Sequence, residues 1–242
     1  MSVLGHRGAF QQAPENTRAS IIAAFDQGAN GVEVDIMKTA DNHIILHHDF
    51  DITHPQKGNR FIADLTLDEI RETQSSQLAR DNSSDLEMIP LLKDIFDDIP
   101  STGFINLEVK TRRLMGSGFE NELVKIIQKS NIIDRILVSS FNPMVIRKIK
   151  KINKEIQTGL IWRTKDEWTF RRPPLLFAYI GQADAIHIDI HSATTELVDK
   201  CRGLGLKINM WTVNTIEDYK RAKLFGANGI ITDEIKYILE IL

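Results

Sequence analysis

The 242-residue sequence holds one cysteine, Cys201. A single thiol cannot close an intrachain disulfide or supply a cysteine-rich zinc site. Long apolar runs are missing too: no stretch approaches the ~18 residues that a membrane-spanning helix needs, so no stable membrane insertion is expected. Neither sign of charge is in large excess. Thirty Lys and Arg face 33 Asp and Glu, a net charge of -3, so the totals suggest no basic surface for nucleic acid. The N-terminus shows no basic segment leading into an apolar stretch, which reads as a chain without a signal peptide and a cytoplasmic protein. What is present is ordinary for a globular protein, with 26% charged and 42% hydrophobic residues. That composition excludes a disordered chain, a collagenous repeat and a coiled coil.

Short β-branched runs alternate with helical patterns along nearly the whole chain. Strands are predicted over 2–6, 32–36, 44–48, 104–109, 136–139, 158–161, 185–189, 207–211 and 229–232. Helices are predicted over 18–27, 92–97, 120–129, 143–152, 195–202, 216–224 and 235–242. Alternation of this kind predicts a parallel sheet in an α/β protein. The number of units in 242 residues suits a (β/α)8 TIM barrel, one domain over 1–242, better than an open doubly wound sheet. Residues 50–90 are polar and irregular, most loop-like at Asn82-Ser83-Ser84-Asp85, and predict a small insertion after the second strand that covers one side of the barrel mouth. An internal echo supports the barrel. Gly28-Ala29-Asn30-Gly31-Val32-Glu33-Val34-Asp35 resembles Gly226-Ala227-Asn228-Gly229-Ile230-Ile231-Thr232-Asp233, each a helix end at the first Gly and a strand start after the second.

Chemistry concentrates on two strands. In Val32-Glu33-Val34-Asp35-Ile36, side-chain alternation puts Glu33 and Asp35 on one face. In a barrel both faces are buried, and unpaired buried carboxylates cost several kcal/mol each, so a metal ion or several Arg or Lys groups must compensate. The ordinary alternative is an edge strand with a solvated acidic face. In Phe104-Ile105-Asn106-Leu107-Glu108-Val109-Lys110, Glu108 and Lys110 lie at the C-terminal end, where barrel enzymes keep catalytic residues. A structural Glu–Lys pair is the alternative there. Glu33, Asp35 and Glu108 together would form an all-oxygen site suited to a hard cation, Mg²⁺ or Ca²⁺. His6 ends the first strand beside Arg7, whose guanidinium matches a phosphate. His47 and His48 end the 44–48 strand, and alternation lets only one of them face the interior. Imidazoles near neutral pH can act as acid and base. Asn16 or Thr17 would cap the first helix, or else take a direct part in the site.

The ordered set Gly5-His6-Arg7-Gly8, Pro14-Glu15-Asn16-Thr17, Glu33-Val34-Asp35, His48-Asp49, Ile89-Pro90-Leu91, Glu108-Val109-Lys110, Trp211-Thr212-Val213-Asn214 and Gly229-Ile230-Ile231-Thr232-Asp233 resembles the glycerophosphodiester phosphodiesterase family over residues 5–233. The resemblance implies a (β/α)8 barrel with a small insertion. It implies hydrolysis of a small-molecule glycerophosphodiester to glycerol 3-phosphate and an alcohol. It also implies one divalent cation, Mg²⁺ or Ca²⁺, at Glu33, Asp35 and Glu108, and makes His6 and His48 the acid–base pair, because the family's His-Asp step falls on His48-Asp49. By the same resemblance Arg7 and Lys110 contact the phosphate and Trp211 walls the pocket beside the glycerol. Two departures stand out: Phe50-Asp51-Ile52-Thr53-His54 lacks the Arg that usually follows the His-Asp step, and Asp41-Asn42 stands where Asp-Gly is frequent. A related barrel acting on lysophospholipids would use the same residues, but with an apolar rim for which 170–180 is the candidate. A barrel that only binds a phosphate ligand would be expected to have lost a histidine or carboxylate. The oligomeric state is not legible.

Overall fold

Eight parallel strands separated by helices close on themselves in a computed structural model that describes residues 1–81, 87–164 and 173–242. The barrel strands are β1 (Ser2–His6), β2 (Gly31–Lys38), β6 (Phe104–Val109), β7 (Ile136–Ser140), β8 (Gln157–Trp162), β9 (Ala185–Asp189), β10 (Lys207–Trp211) and β11 (Gly229–Thr232). Closure comes from β1, which pairs with β2 on one side and β11 on the other. The helices that follow strands are α1 (Arg18–Asp26), α3 (Glu120–Lys129), α4 (Pro143–Ile152), α5 (Pro174–Gly181), α6 (Thr195–Gly203), α7 (Ile216–Leu224) and α8 (Ile235–Glu240). No helix among the described residues is long and apolar enough to cross a membrane.

Register decides which side chains enter the lumen, because residues paired across parallel strands share a face. Glu33 is level with His6 and Asn106, and Asp35 with Glu108. Further round the ring, Glu108 is level with Ser139, Ile161 with His187, and Asn209 with His187. These residues look inward. Their neighbours Val32, Val34, Ile36, Ile105 and Leu107 look outward and are fully buried against Ile21, Ala24, Leu123 and Ile127 of the surrounding helices. Across the barrel Ile186, Ile188, Ile208 and Met210 pack on Val198, Cys201, Tyr219 and Ala222. Burial pushes the Cys201 thiol up to about 11, so it is a core residue and not a nucleophile. The echoed loops behave alike: Gly28 (φ 92°) and Gly226 (φ 61°) each follow a helix in the left-handed conformation.

The connection between β2 and β6 carries the insertion, and here the structure corrects three expectations. The strand predicted over 44–48 is only β3 (Ile44–Leu46), antiparallel to β2 and outside the parallel ring. The backbone then leaves the ladder, with His47 N donating to the Asp35 carbonyl at 3.0 Å. Residues after it are more ordered than their polarity suggested. A hairpin of β4 (Asp51–His54) and β5 (Gly58–Phe61) leads into α2 (Leu67–Asp81). The segment reads as irregular because α2 buries a short stripe, Leu67 and Ile70, which joins Met37, Ile45, Ile52, Ile62, Leu65 and Leu91 in a separate small core. The helix predicted over 92–97 is two 3₁₀ turns, Leu92–Asp94 and Phe96–Asp98, confined between Pro90 and Pro100. Asn82–Asp85, expected to be a loop, lies outside the described residues. Asn42, expected in a left-handed turn, has φ 68°.

Candidate active site

At the C-terminal end of the strands lies a cavity of about 150 Å³. His6, Arg7, Glu33, Asp35, His48, Glu108, Lys110 and Trp211 all line it. They come from four different strands and from the loops after β1, β3 and β6, the arrangement that the barrel topology makes available at its mouth.

The three carboxylates each offer an oxygen within 4.8 Å of the others. Glu33 and Asp35 are both 2% exposed. Burial, and then the charges of Asp35 and Glu108, push the Glu33 carboxyl well above the usual carboxylate range. Burial followed by Asp35 pushes Glu108 up as well. Glu33 Oε1 is buried without a hydrogen-bond partner. Three crowded carboxylates, with one Glu33 oxygen orphaned, match the ligand chemistry of a divalent cation such as Mg²⁺ or Ca²⁺. Asp35 is held in place by Asn16, whose Nδ2 donates to Asp35 Oδ2 at 3.1 Å while its Oδ1 accepts from Asp35 N at 2.9 Å. Thr17, not Asn16, caps α1, in a reciprocal pair with Ser20.

Two cations flank the carboxylates. Arg7 Nε lies 3.4 Å from Asp35 and its Nη1 donates to Glu15 at 2.7 Å. Lys110 Nζ lies 3.6 Å from Asp35 and 3.5 Å from Glu108. Burial works against both charges, but the neighbouring carboxylates outweigh it and raise both pKa values. The loop that presents Arg7 is tied to α1, since Ser20 Oγ donates to the Arg7 carbonyl at 3.0 Å and Ala9 N to the Ser20 carbonyl at 2.8 Å.

Three histidines line the cavity, and two of them, His6 and His48, are gripped at Nδ1. His6 Nδ1 lies 2.6 Å from Asp233 Oδ1, and its Nε2 is 3.9 Å from Glu33. His48 Nδ1 lies 2.8 Å from Asp49. His47 faces elsewhere, its Nε2 3.4 Å from the Asp51 carbonyl oxygen, and burial pushes its pKa down. Asp233 is itself fixed by Asn214, which donates from Nδ2 at 2.6 Å and accepts from Asp233 N at 2.9 Å. Burial opposes the Asp233 charge, yet the bonds from His6 and Asn214 leave its carboxyl below its ordinary range.

Opposite the carboxylates, Trp211 meets Phe141 edge-on at 5.9 Å, and its Nε1 donates to the His187 carbonyl at 3.1 Å. The sequence reading leaves Asn16 between a capping role and a site role, and does not single out Asn214 and Asp233 as site residues. The signals were present: Asp233 occupies the place in the second echo that Asp35 occupies in the first, and Asn214 closes a quoted motif.

Similarity to known proteins points to one family. Residues 6–237 match the family model of the Glycerophosphoryl diester phosphodiesterase family. The chain is 31% identical over 241 residues to a glycerophosphodiester phosphodiesterase of Caldanaerobacter subterraneus subsp. tengcongensis, covering 99% of this chain and 97% of the relative. A phosphodiesterase of Oleispira antarctica, solved in complex with the product sn-glycerol-3-phosphate, superposes with a TM-score of 0.78 at 25% identity over 99% of this chain and 96% of its own. A glycerophosphodiester phosphodiesterase of Thermotoga maritima shares the fold with a TM-score of 0.78 at 24% identity, covering 100% of this chain and 98% of that one. With a match over nearly its whole length and carboxylates, histidines and cations gathered in one cavity, the chain belongs to the glycerophosphoryl diester phosphodiesterase family.

Proposed function

We propose that the protein hydrolyses small glycerophosphodiesters to glycerol 3-phosphate and an alcohol, with one divalent cation at Glu33, Asp35 and Glu108 and with His6 and His48 as the acid–base pair. The observation that carries this reading is the convergence of the carboxylate trio and both histidines on a single cavity. When bound, Mg²⁺ or Ca²⁺ supplies positive charge to the phosphoryl oxygens, where negative charge grows during attack. Arg7 and Lys110 add fixed charge to the same oxygens and lose little in reorganisation, because the carboxylates already hold them.

Proton transfer follows from how the rings are held. A neutral His6 that donates Nδ1–H to Asp233 leaves its Nε2 lone pair in the cavity as a base. A protonated His48, its Nδ1–H stabilised by Asp49, presents Nε2–H to the departing alkoxide. The proton taken by His6 comes from water or from the substrate's own glycerol hydroxyl. A cyclic phosphate detected in the products distinguishes the second route.

The test is a turnover screen with glycerophosphocholine, -ethanolamine, -glycerol and -inositol, assayed for glycerol 3-phosphate. Product from these substrates supports the reading; none from any of them overturns it. A second reading, action on lysophospholipids, has one observation in its favour. Phe170, part of the segment first considered as an apolar rim, lies outside the described residues, and Pro174–Gly181 forms α5. Yet Leu114 and Met115, on the loop after β6, are 62% and 68% exposed. A higher kcat/KM for lysophosphatidylcholine below its micelle concentration than for glycerophosphocholine would favour that reading.

A further inference from the structure

A second cavity, of about 390 Å³, opens beside the first, and Lys110 lines both. Its walls are the end of β2, the loop after β6, and Phe50 and Phe61 of the insertion. Four cations line it, Lys38, Lys110, Arg112 and Arg113, against one acid, Asp64. Two of the four are engaged: Lys110 lies between Asp35 and Glu108, and Lys38 donates to Asn42 Oδ1 at 2.9 Å. Arg112 and Arg113 are exposed and form no ion pair among the described residues.

A guanidinium already stands against the aromatic residues. The Arg112 guanidinium lies 4.9 Å from the centre of the Phe61 ring and 6.0 Å from that of Phe50. Stacked there, it keeps its N–H fork available to a carboxylate or phosphate. A quaternary ammonium seated against these rings would lie beside a guanidinium of its own sign.

Position connects this cavity to the reaction. Round the closed ring, β6 stands opposite β10, so the cavity and Trp211 lie on opposite sides of the phosphate-facing cations. His48, the residue that protonates the leaving oxygen in the proposed mechanism, stands two residues before Phe50. The departing alcohol therefore emerges on the side of the second cavity.

We infer that this cavity is the subsite for the leaving alcohol and that it selects alcohols bearing an anionic group of their own, a carboxylate or a further phosphate, over neutral and cationic ones. The inference rests on the hydrolysis proposed above. Three substrates test it at low ionic strength: glycerophosphoglycerol, the same diester with a phosphate on the terminal hydroxyl of the leaving glycerol, and glycerophosphocholine. The phosphorylated substrate should show the highest kcat/KM, roughly fivefold above glycerophosphoglycerol, the size that two partly exposed charge contacts supply. Glycerophosphocholine should be the poorest. The ratio of phosphorylated to plain substrate should fall toward one in an Arg112→Gln/Arg113→Gln variant, and in wild type at high salt. Equal kcat/KM for the two glycerol substrates in wild type, or a preference that survives in the double variant, overturns the inference while leaving the proposed activity standing. If wild type hydrolyses none of the three, the inference falls; the activity reading fails with it only when the ethanolamine and inositol diesters are left intact as well.

Discussion

His6 and His48 share one device, a carboxylate on Nδ1, but the two carboxylates differ in quality. Asp233 is fixed by Asn214, whereas Asp49 is largely exposed. Replacing either histidine by Ala should lower kcat by about 10²–10⁴-fold, and the double variant should fall well short of the product of the two losses. Asp233→Asn should reduce kcat more than Asp49→Asn, since it releases a ring from a better-built support. Steady-state kinetics on one substrate checks all of these. The choice between His47 and His48 was beyond alternation alone, which says only that they face apart. The resemblance picked His48, and the geometry separates them by burial and by the Asp51 contact of His47. His47→Ala should accordingly lower stability more than kcat. His187, at 1% exposure inside the barrel, makes a pH prediction. Burial pushes its imidazole down from 6.5 to about 4. The unfolded chain then binds the extra proton first, so stability is fully present above pH 6.5 and is lost as pH falls from 6.5 toward 4. A His187→Gln variant should lose less stability between pH 7 and 5 than wild type, a difference of order 1–3 kcal/mol by denaturant titration.

Elements account for what the pattern made legible. Barrel strands alternate apolar residues facing helices with small or polar residues facing the lumen, so 32–36 and 104–109 could be read directly, carboxylates included. The hairpin and α2 could not. Their small core draws single residues from several short segments, and no window shows a strong period. The link between β1 and α1 was also invisible, because it depends on backbone approach. Gly8 has φ 83°, and a Cβ there would lie 2.6 Å from the backbone carbonyl carbon of Ser20. Gly8→Ala should destabilise the fold by about 2–3 kcal/mol through strain and overpacking, and should weaken activity by displacing Arg7. Thermal melting and kcat/KM together check this.

At the scale of the whole molecule, ring closure turns residues far apart in sequence into one site. Glu33, Asp35 and Glu108 meet because β2 and β6 are paired, although more than 70 residues separate Asp35 from Glu108 in the chain. His6 meets Asp233 because the first strand closes against the last. No local pattern predicts such meetings; the motif order does, through the fold it implies. The surface of the insertion stayed out of reach because its departures from the family pattern fall at Phe50 and its neighbours. The account rests on the carboxylate trio as a cation site. Glu33→Gln, Asp35→Asn and Glu108→Gln should each weaken Mg²⁺ or Ca²⁺ binding by calorimetry while leaving the melting temperature near that of the unloaded wild type. The most direct measurement is release of glycerol 3-phosphate from glycerophosphoglycerol by the purified protein before and after exhaustive chelation with EDTA. The account predicts that turnover disappears on chelation and returns on adding Mg²⁺ or Ca²⁺; undiminished turnover in the chelated protein would contradict it.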